Sequence, residues 1–466
     1  MSFYNKKAIV FAVALCCTQL LASIAYCQQK SFSSLQTLIT AAQQHLPSLQ
    51  QKQDLLNGAQ SNITDVKHQY LPKTSVGDEI SLATDNSVSG AYLPIAVMPS
   101  VSGGRRDANI YQPAFGNIAS AYGEYQLSNF GLKDAQIKQA ESYVGVAKGD
   151  LEKELYLVKW NLAKVYFELL RQEYQLGADQ QNINRYDSIY TVIQAISLAG
   201  IRAGSDTSLA LAELSKTRIN YNQTLGKIAQ AKQQLSYWSG VPVPQIDVDT
   251  TSTAMRQLMR QTMGMFADTA VNPLVDYYAQ LRKLNESNEV VVKKSFQPKL
   301  LLAADVWGRG SGIDYNNDYK SLESGLGYQR FNYAAGVSFV YDLFNPIHKK
   351  DRLTVAHFST LASQHELEQQ KLSLQNLNGQ ADESIKTAVQ NLNEIPIQQT
   401  AAQAVFQQKI AQYRAGTINL IDLTNASFVL FRSQVDYIET INNLLVATID
   451  KAAATGHLDQ FIQLIK

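Results

Sequence analysis

Phe331-Asn332-Tyr333-Ala334-Ala335-Gly336-Val337-Ser338-Phe339-Val340-Tyr341-Asp342-Leu343 alternates large apolar residues with small or polar ones. Phe331, Tyr333, Ala335, Val337, Phe339, Tyr341 and Leu343 share one parity, and Val340 is the exception on the other. Side chains alternate faces along a strand, so period two with aromatics at both ends reads as a membrane β-strand. It is expected over about 328–343. Residues 299–309 are a plausible partner strand, separated from it by a stretch rich in Gly, Ser, Asn and Asp from Gly308 to Gly327. The first half of the chain offers a weaker pair at about 74–83 and 117–127, joined by a looser connection containing Pro94, Pro99, Gly103 and Gly104. A soluble hairpin capping a helical bundle is the competing reading of this alternation.

Outward from the strands, the punctuation of the chain occurs twice. Pro47 and Pro72 recur as Pro273 and Pro298, Tyr125-x-Leu127-x-Asn129 as Tyr341-x-Leu343-x-Asn345, and Arg202-Ala203-Gly204 as Arg414-Ala415-Gly416. Proline and glycine stand where the backbone bends or stops, so a repeated spacing implies a repeated chain path. Two repeats are expected, residues 28–250 and 251–466, each a short helix, a hairpin and two long antiparallel helices.

The long helices are expected over about 131–199, 206–238, 346–412 and 417–455. Leu151, Leu155, Val158, Leu162, Val165 and Leu169 step by four and three, the seam of a coiled coil. Trp160, Phe167, Leu170 and Tyr174 form a second apolar stripe. Leu211, Leu214, Tyr221, Leu225, Ile228 and Leu235 give a similar seam after the first turn, and Leu420, Leu423, Ser427, Leu430, Gln434, Tyr437, Ile441 and Leu444 after the second. Pro396 is the one proline between Pro346 and Gln412. At 1.5 Å per residue, a run of some 65 to 70 residues spans roughly 100 Å. Rods with two apolar stripes take neighbours on both sides, as in a cylinder of helices.

Compartment and chemistry follow from composition. Lys6 and Lys7, an apolar run from Ala8 to Cys17 and Ala25-Tyr26-Cys27 before Gln28 read as a signal peptide over 1–27. Acylation of Cys27 is the alternative, and the bulky Tyr26 fits a lipobox poorly. All three cysteines, Cys16, Cys17 and Cys27, lie in this segment, which leaves no disulfide or Cys-based metal site beyond it. Cleavage removes two lysines and no acids, leaving 39 basic and 40 acidic side chains. No basic excess points to nucleic acid. The six histidines show no metal-ligand spacing, and no Walker loop or nucleophile elbow is present, so neither an enzyme nor a cofactor is expected.

Four strands cannot close a barrel, and an open sheet edge in lipid leaves backbone groups unpaired at several kcal/mol each. Other copies of the chain must meet the edges, and three copies give twelve strands.

With these parts in order, the sequence resembles the TolC family of outer-membrane efflux proteins over essentially all of residues 28–466. The resemblance rests on Leu46-Pro47-Ser48-Leu49 and Asn272-Pro273-Leu274, the strand entries Tyr70-Leu71-Pro72-Lys73 and Phe296-Gln297-Pro298-Lys299, and above all Tyr413-Arg414-Ala415-Gly416-Thr417 followed by Ile421-Asp422-Leu423. It implies a mainly α fold with a membrane β-barrel part: a homotrimer whose twelve-stranded barrel, embedded in outer-membrane lipid, continues into a long helical tunnel in the periplasm. It further implies a passive exit duct joined through a periplasmic membrane-fusion adaptor to an inner-membrane RND or ABC transporter. By the same resemblance Asp422 matches an acidic constriction position, Asn425 stands where a second acid is common, and Tyr413 matches a residue that holds the tip closed. Arg202, Ala203, Gly204, Arg414, Ala415, Gly416 and Thr417 match the tips that meet the adaptor. Six residues after Gly204 stands Ala210, and Asp206 reads as a helix cap. A soluble periplasmic coiled-coil scaffold is the alternative from another class.

Overall fold

The computed structural model describes residues 34–87, 104–200, 204–248 and 270–465. The signal segment with Cys27, the connection through Pro94, Pro99 and Gly103, and Arg202 and Ala203 of the first tip lie outside the described residues. In chain order the elements are α1 (Leu35–His45), α2 (Pro47–His68), β1 (Lys73–Ala83), β2 (Ala114–Ser128), α3 (Leu132–Leu198), α4 (Gly204–Ser239), α5 (Pro273–Ser295), β3 (Lys299–Ser311), β4 (Arg330–Val340), α6 (Asn345–Arg414), α7 (Leu420–Thr455) and α8 (Leu458–Leu464). Among the described residues no helix is long and apolar enough to cross a membrane.

Contacts divide the chain into two units, one of residues 1–54, 149–277 and 367–466 and the other of 55–148 and 278–366. The second unit carries the sheet. Its four strands run antiparallel in the order β1-β2-β3-β4, so the strands of the two repeats join through β2 and β3. Tyr125 pairs with Leu302 and Trp307 with Asn332, and a bulge interrupts β2 between Gln126 and Ser128. β4 ends at Val340, short of Leu343, because Asp342 turns the chain: its carboxylate accepts from Phe344 N at 2.9 Å, and its carbonyl accepts from Asn345 N.

The first unit holds the main core. Leu35, Leu38, Ile39 and Ala42 of α1 pack with Leu162, Phe167 and Leu169 of α3, Leu235 of α4, Ile449 of α7 and Phe461 of α8. Phe167 and Phe461 meet edge to face with centroids 6.1 Å apart. Asp450 of α7 accepts from Trp160 Nε1 at 2.8 Å and pairs with Lys164 at 2.7 Å, tying α3 to α7 at the second apolar stripe of α3. Tyr156 donates to the carbonyl of Ala453, and burial pushes its hydroxyl well above the usual tyrosine range.

α6 runs through Pro396; Thr400 Oγ1 donates to the Pro396 carbonyl at 2.7 Å. One expectation is corrected. The inward face of α4 is Ala210, Leu214, Thr217, Thr224, Ile228, Ala231 and Leu235, whereas Leu211 and Leu225 are exposed. Small and hydroxyl side chains hold that seam: Thr224 Oγ1 donates to the buried carboxylate of Asp179 at 2.6 Å, and Gln175 Nε2 donates to its other oxygen at 2.9 Å. In α6 the buried set Leu367, Leu374, Ala381, Ala388, Ile395 and Ala402 repeats every seven residues, the period of a left-handed supercoil.

Candidate functional site

Two places hold the candidate side chains: the helix-to-helix turns of the first unit and the faces of the sheet in the second. At the second turn, Ala415 N donates to the Ala411 carbonyl, Gly416 N to Tyr413 and Thr417 N to Gln412, each at 3.0 Å. This is a Schellman close, and Gly416 supplies its left-handed residue at φ +77°. Asn419 then caps α7, its Oδ1 accepting from Asp422 N at 2.8 Å. Asp422 therefore lies in the first turn of α7 with its carboxylate exposed, and Asn425 is exposed on the next turn. Arg414, Ala415, Gly416 and Thr417 are all exposed. Tyr413 is buried, packed in a cluster with Ile193, Leu214, Phe406, Leu420 and Leu423.

The first turn does not follow the Arg-Ala-Gly string. α3 ends at Leu198, Ala199 N donates to the Ala195 carbonyl, and Gly200 N donates to Ser197 at 2.9 Å with φ +74°. Gly200, not Gly204, makes the left-handed turn. Gly204 is the first residue of α4 and has open space where a Cβ would stand. The tips correspond at an offset of 216, the same offset that separates Tyr125 from Tyr341. On that register the counterpart of Asp422 is Asp206, in the first turn of α4, and Ala210 corresponds to the equally buried Ala426. The end glycines Gly240 and Gly456, at φ +73° and +84°, obey the same offset.

Near the tips, α3 is stitched to α7. Arg185 Nη2 donates to Gln434 Oε1 at 3.2 Å and to Asn182 Oδ1 at 3.1 Å, and Gln434 Nε2 donates to Gln181 Oε1 at 3.2 Å. Burial lowers the Arg185 pKa. Tyr186 donates to the Thr424 carbonyl at 3.4 Å, and burial raises its hydroxyl pKa.

The sheet has two unlike faces, fixed by register. One carries Val76, Ile80, Leu82, Ala121, Tyr125, Leu302, Ala304, Val306, Phe331, Tyr333, Val337 and Phe339. Its polar members are Thr74, Asp78 and Asn117, and Asn117 Nδ2 donates to the Leu326 carbonyl at 2.8 Å. The opposite face carries Ser75, Glu79, Ser120, Tyr122, Glu124, Asp305, Arg309, Arg330, Asn332 and Ser338, with Ile118 and Trp307 among them. Every residue of β1 and of β4 is exposed, and each of these strands pairs on one side only among the described residues.

Solved structures share this fold. The outer-membrane channel OprN is 15% identical with a TM-score of 0.71, covering 91% of this chain and 90% of its own. The outer-membrane protein VceC from Vibrio cholerae is 14% identical with a TM-score of 0.72 over 91% and 96%. This chain has the fold of the TolC-like outer-membrane channels. The Campylobacter jejuni CmeC channel shares it at 14% identity and a TM-score of 0.70 over 91% and 86%. No family model and no curated protein matches the sequence. Sequence reasoning placed a left-handed turn at Gly416 but missed the one at Gly200 and the equivalence of Asp206 with Asp422. The constant offset of 216 was the available signal.

Proposed function

We propose that the chain is one protomer of a trimeric outer-membrane exit duct, passing solutes delivered by a periplasmic adaptor and an inner-membrane RND or ABC transporter. The observation that supports this reading best is the amphipathic sheet with two unmet edges. An apolar face suits lipid, a polar face suits a water-filled lumen, and edges unpaired in lipid are closed by the strands of other copies. Twelve strands from three chains make an even, closed barrel.

On this reading the duct carries no catalyst, and its tips are the delivery end. Gly200 joins Arg202, Ala203, Gly204, Arg414, Ala415, Gly416 and Thr417 in the surface that meets the adaptor. Asp422, with Asp206 beside it in the repeat, lines the constriction, and Tyr413 supports it by packing. Purification in mild detergent tests the proposal: a trimer that forms stable pores in planar bilayers is expected. A monomer released from membranes by carbonate and forming no pores refutes it and leaves a periplasmic scaffold.

A further inference from the structure

We propose that the segment from Leu322 to Tyr328, between β3 and β4, is a membrane anchor that folds over the apolar face of the sheet and presents Leu322, Leu326 and Tyr328 to the headgroup zone of the outer leaflet. The inference deepens the duct reading and rests on it for the apolar face being the lipid side. Which face the segment covers follows from register. Gly308 and Gly310 of β3 lie on the apolar face, where a β-carbon at Gly310 would meet the Gly327 carbonyl and one at Gly308 the rings of Phe331 and Tyr328. The two glycines leave room for the segment on that face.

Asn117 and Asp78 are polar side chains toward the loop end of this otherwise apolar face. The segment covers them: Asn117 is 6% exposed and donates from Nδ2 to the Leu326 carbonyl at 2.8 Å, and the Tyr328 hydroxyl lies beside Asp78. Apolar surface takes their place. Leu322, Leu326 and Tyr328 stay 42% to 48% exposed although the segment is packed on the sheet, and they continue the apolar row of Phe331 and Tyr333. Depth follows from the backbone. Irregular chain facing lipid is not tolerated in the hydrocarbon, where its polar groups would go unpaired. Here Leu326 N donates to the Glu323 carbonyl, Gln329 N to the Arg309 carbonyl, and Gln329 Nε2 to the carbonyls of Ser311 and Ser324. Ser321 and Glu323 are exposed beside the three apolar side chains. That mixture belongs in the headgroup zone, where leucines reach the tops of the acyl chains and a tyrosine keeps its hydroxyl among polar groups.

The test adds one indole to the full chain, reconstituted in vesicles of phosphatidylcholine brominated near the top of one acyl chain. Relative to the unsubstituted protein, the fluorescence gained in Leu326→Trp should be lost to the bromines about as fully as that gained in Tyr333→Trp, a position on the apolar face of β4. Lipid quenching at Tyr333→Trp with only aqueous iodide quenching Leu326→Trp overturns the anchor and keeps the duct. Lipid quenching at Tyr333→Trp with neither quencher reaching Leu326→Trp also overturns it, and assigns the segment to contact with another copy. Lipid quenching at Leu326→Trp alone would sink the duct reading and keep the segment as a membrane contact, and its absence at both positions would sink the two together.

Discussion

Gly200 and Gly416, 216 residues apart, close the two long-helix hairpins with the same left-handed turn, at φ +74° and +77°. The identical Arg-Ala-Gly strings beside them are out of step by one helical turn, because the backbone follows the glycine that carries the positive φ. Side chains with a Cβ pay roughly 1–2 kcal/mol in that conformation.

Gly200→Ala and Gly416→Ala should therefore each weaken their tip by about 1–2 kcal/mol. Gly204→Ala, in a helix with room for the methyl group, should be neutral or stabilising by about 0.5–1 kcal/mol. Hydrogen exchange across the last turn of α3 and the first turn of α4 reads both. A larger loss at Gly204 than at Gly200 would return the turn to the Arg-Ala-Gly register.

Asp150 of α3 lies 2.6 Å from Lys52 of α2 and 2.7 Å from Lys153, whose ammonium stands 3.5 Å over the Tyr277 ring. Burial pushes this carboxyl up, and the hydrogen bonds and charges of Lys153 and Lys52 more than offset it, holding the group below the usual carboxylate range. A depressed native pKa stabilises the fold above the unfolded value near 4, and that stability is lost as pH falls through the native value. Asp150→Asn should cost about 1 kcal/mol at pH 7, given the partial exposure of the pair, and less at pH 3. Thermal melting in detergent at the two pH values checks this, and an equal difference at both would remove the ion pair from the account.

Large, regular signals were legible in the sequence. Phe331 to Phe339 alternates because one face of β4 is apolar along its whole length, and Val158, Leu162 and Leu169 of α3 are buried where their four-three spacing put them. Small-residue packing was not legible. Ala210, Thr217 and Thr224 are the inward face of α4, yet Leu211 and Leu225 carry the stronger hydrophobic signal and face outward. Proline forfeits one helical hydrogen bond, and a helix of 70 residues, packed every seventh position, continues across that defect.

Phe167 fills the centre of the first unit, 1% exposed and in edge contact with both Tyr166 and Phe461. Phe167→Ala should lower stability by about 3–5 kcal/mol, the range for emptying an aromatic site in a packed core. Phe167→Leu should lose much less. Chemical denaturation of the detergent-solubilised protein measures both, and a loss below about 1 kcal/mol for the alanine variant would show that α8 collapses into the space.

Asp206 and Asp422 begin α4 and α7 at equivalent positions, so three chains would bring six carboxylates to the delivery end. Two roles predict different outcomes. A carboxylate in the first helical turn interacts with the macrodipole for roughly 0.3–1 kcal/mol and has no influence on ions in the lumen. A carboxylate lining the constriction binds multivalent cations, and block by La³⁺ in planar bilayers then depends on it. Asp422→Ala should weaken that block, and Asp206→Ala/Asp422→Ala should weaken it further. Asn425→Asp should strengthen it by adding charge one turn along α7. Lowered melting temperature with unchanged block in all three variants would assign both acids to helix capping and move the constriction elsewhere along the duct.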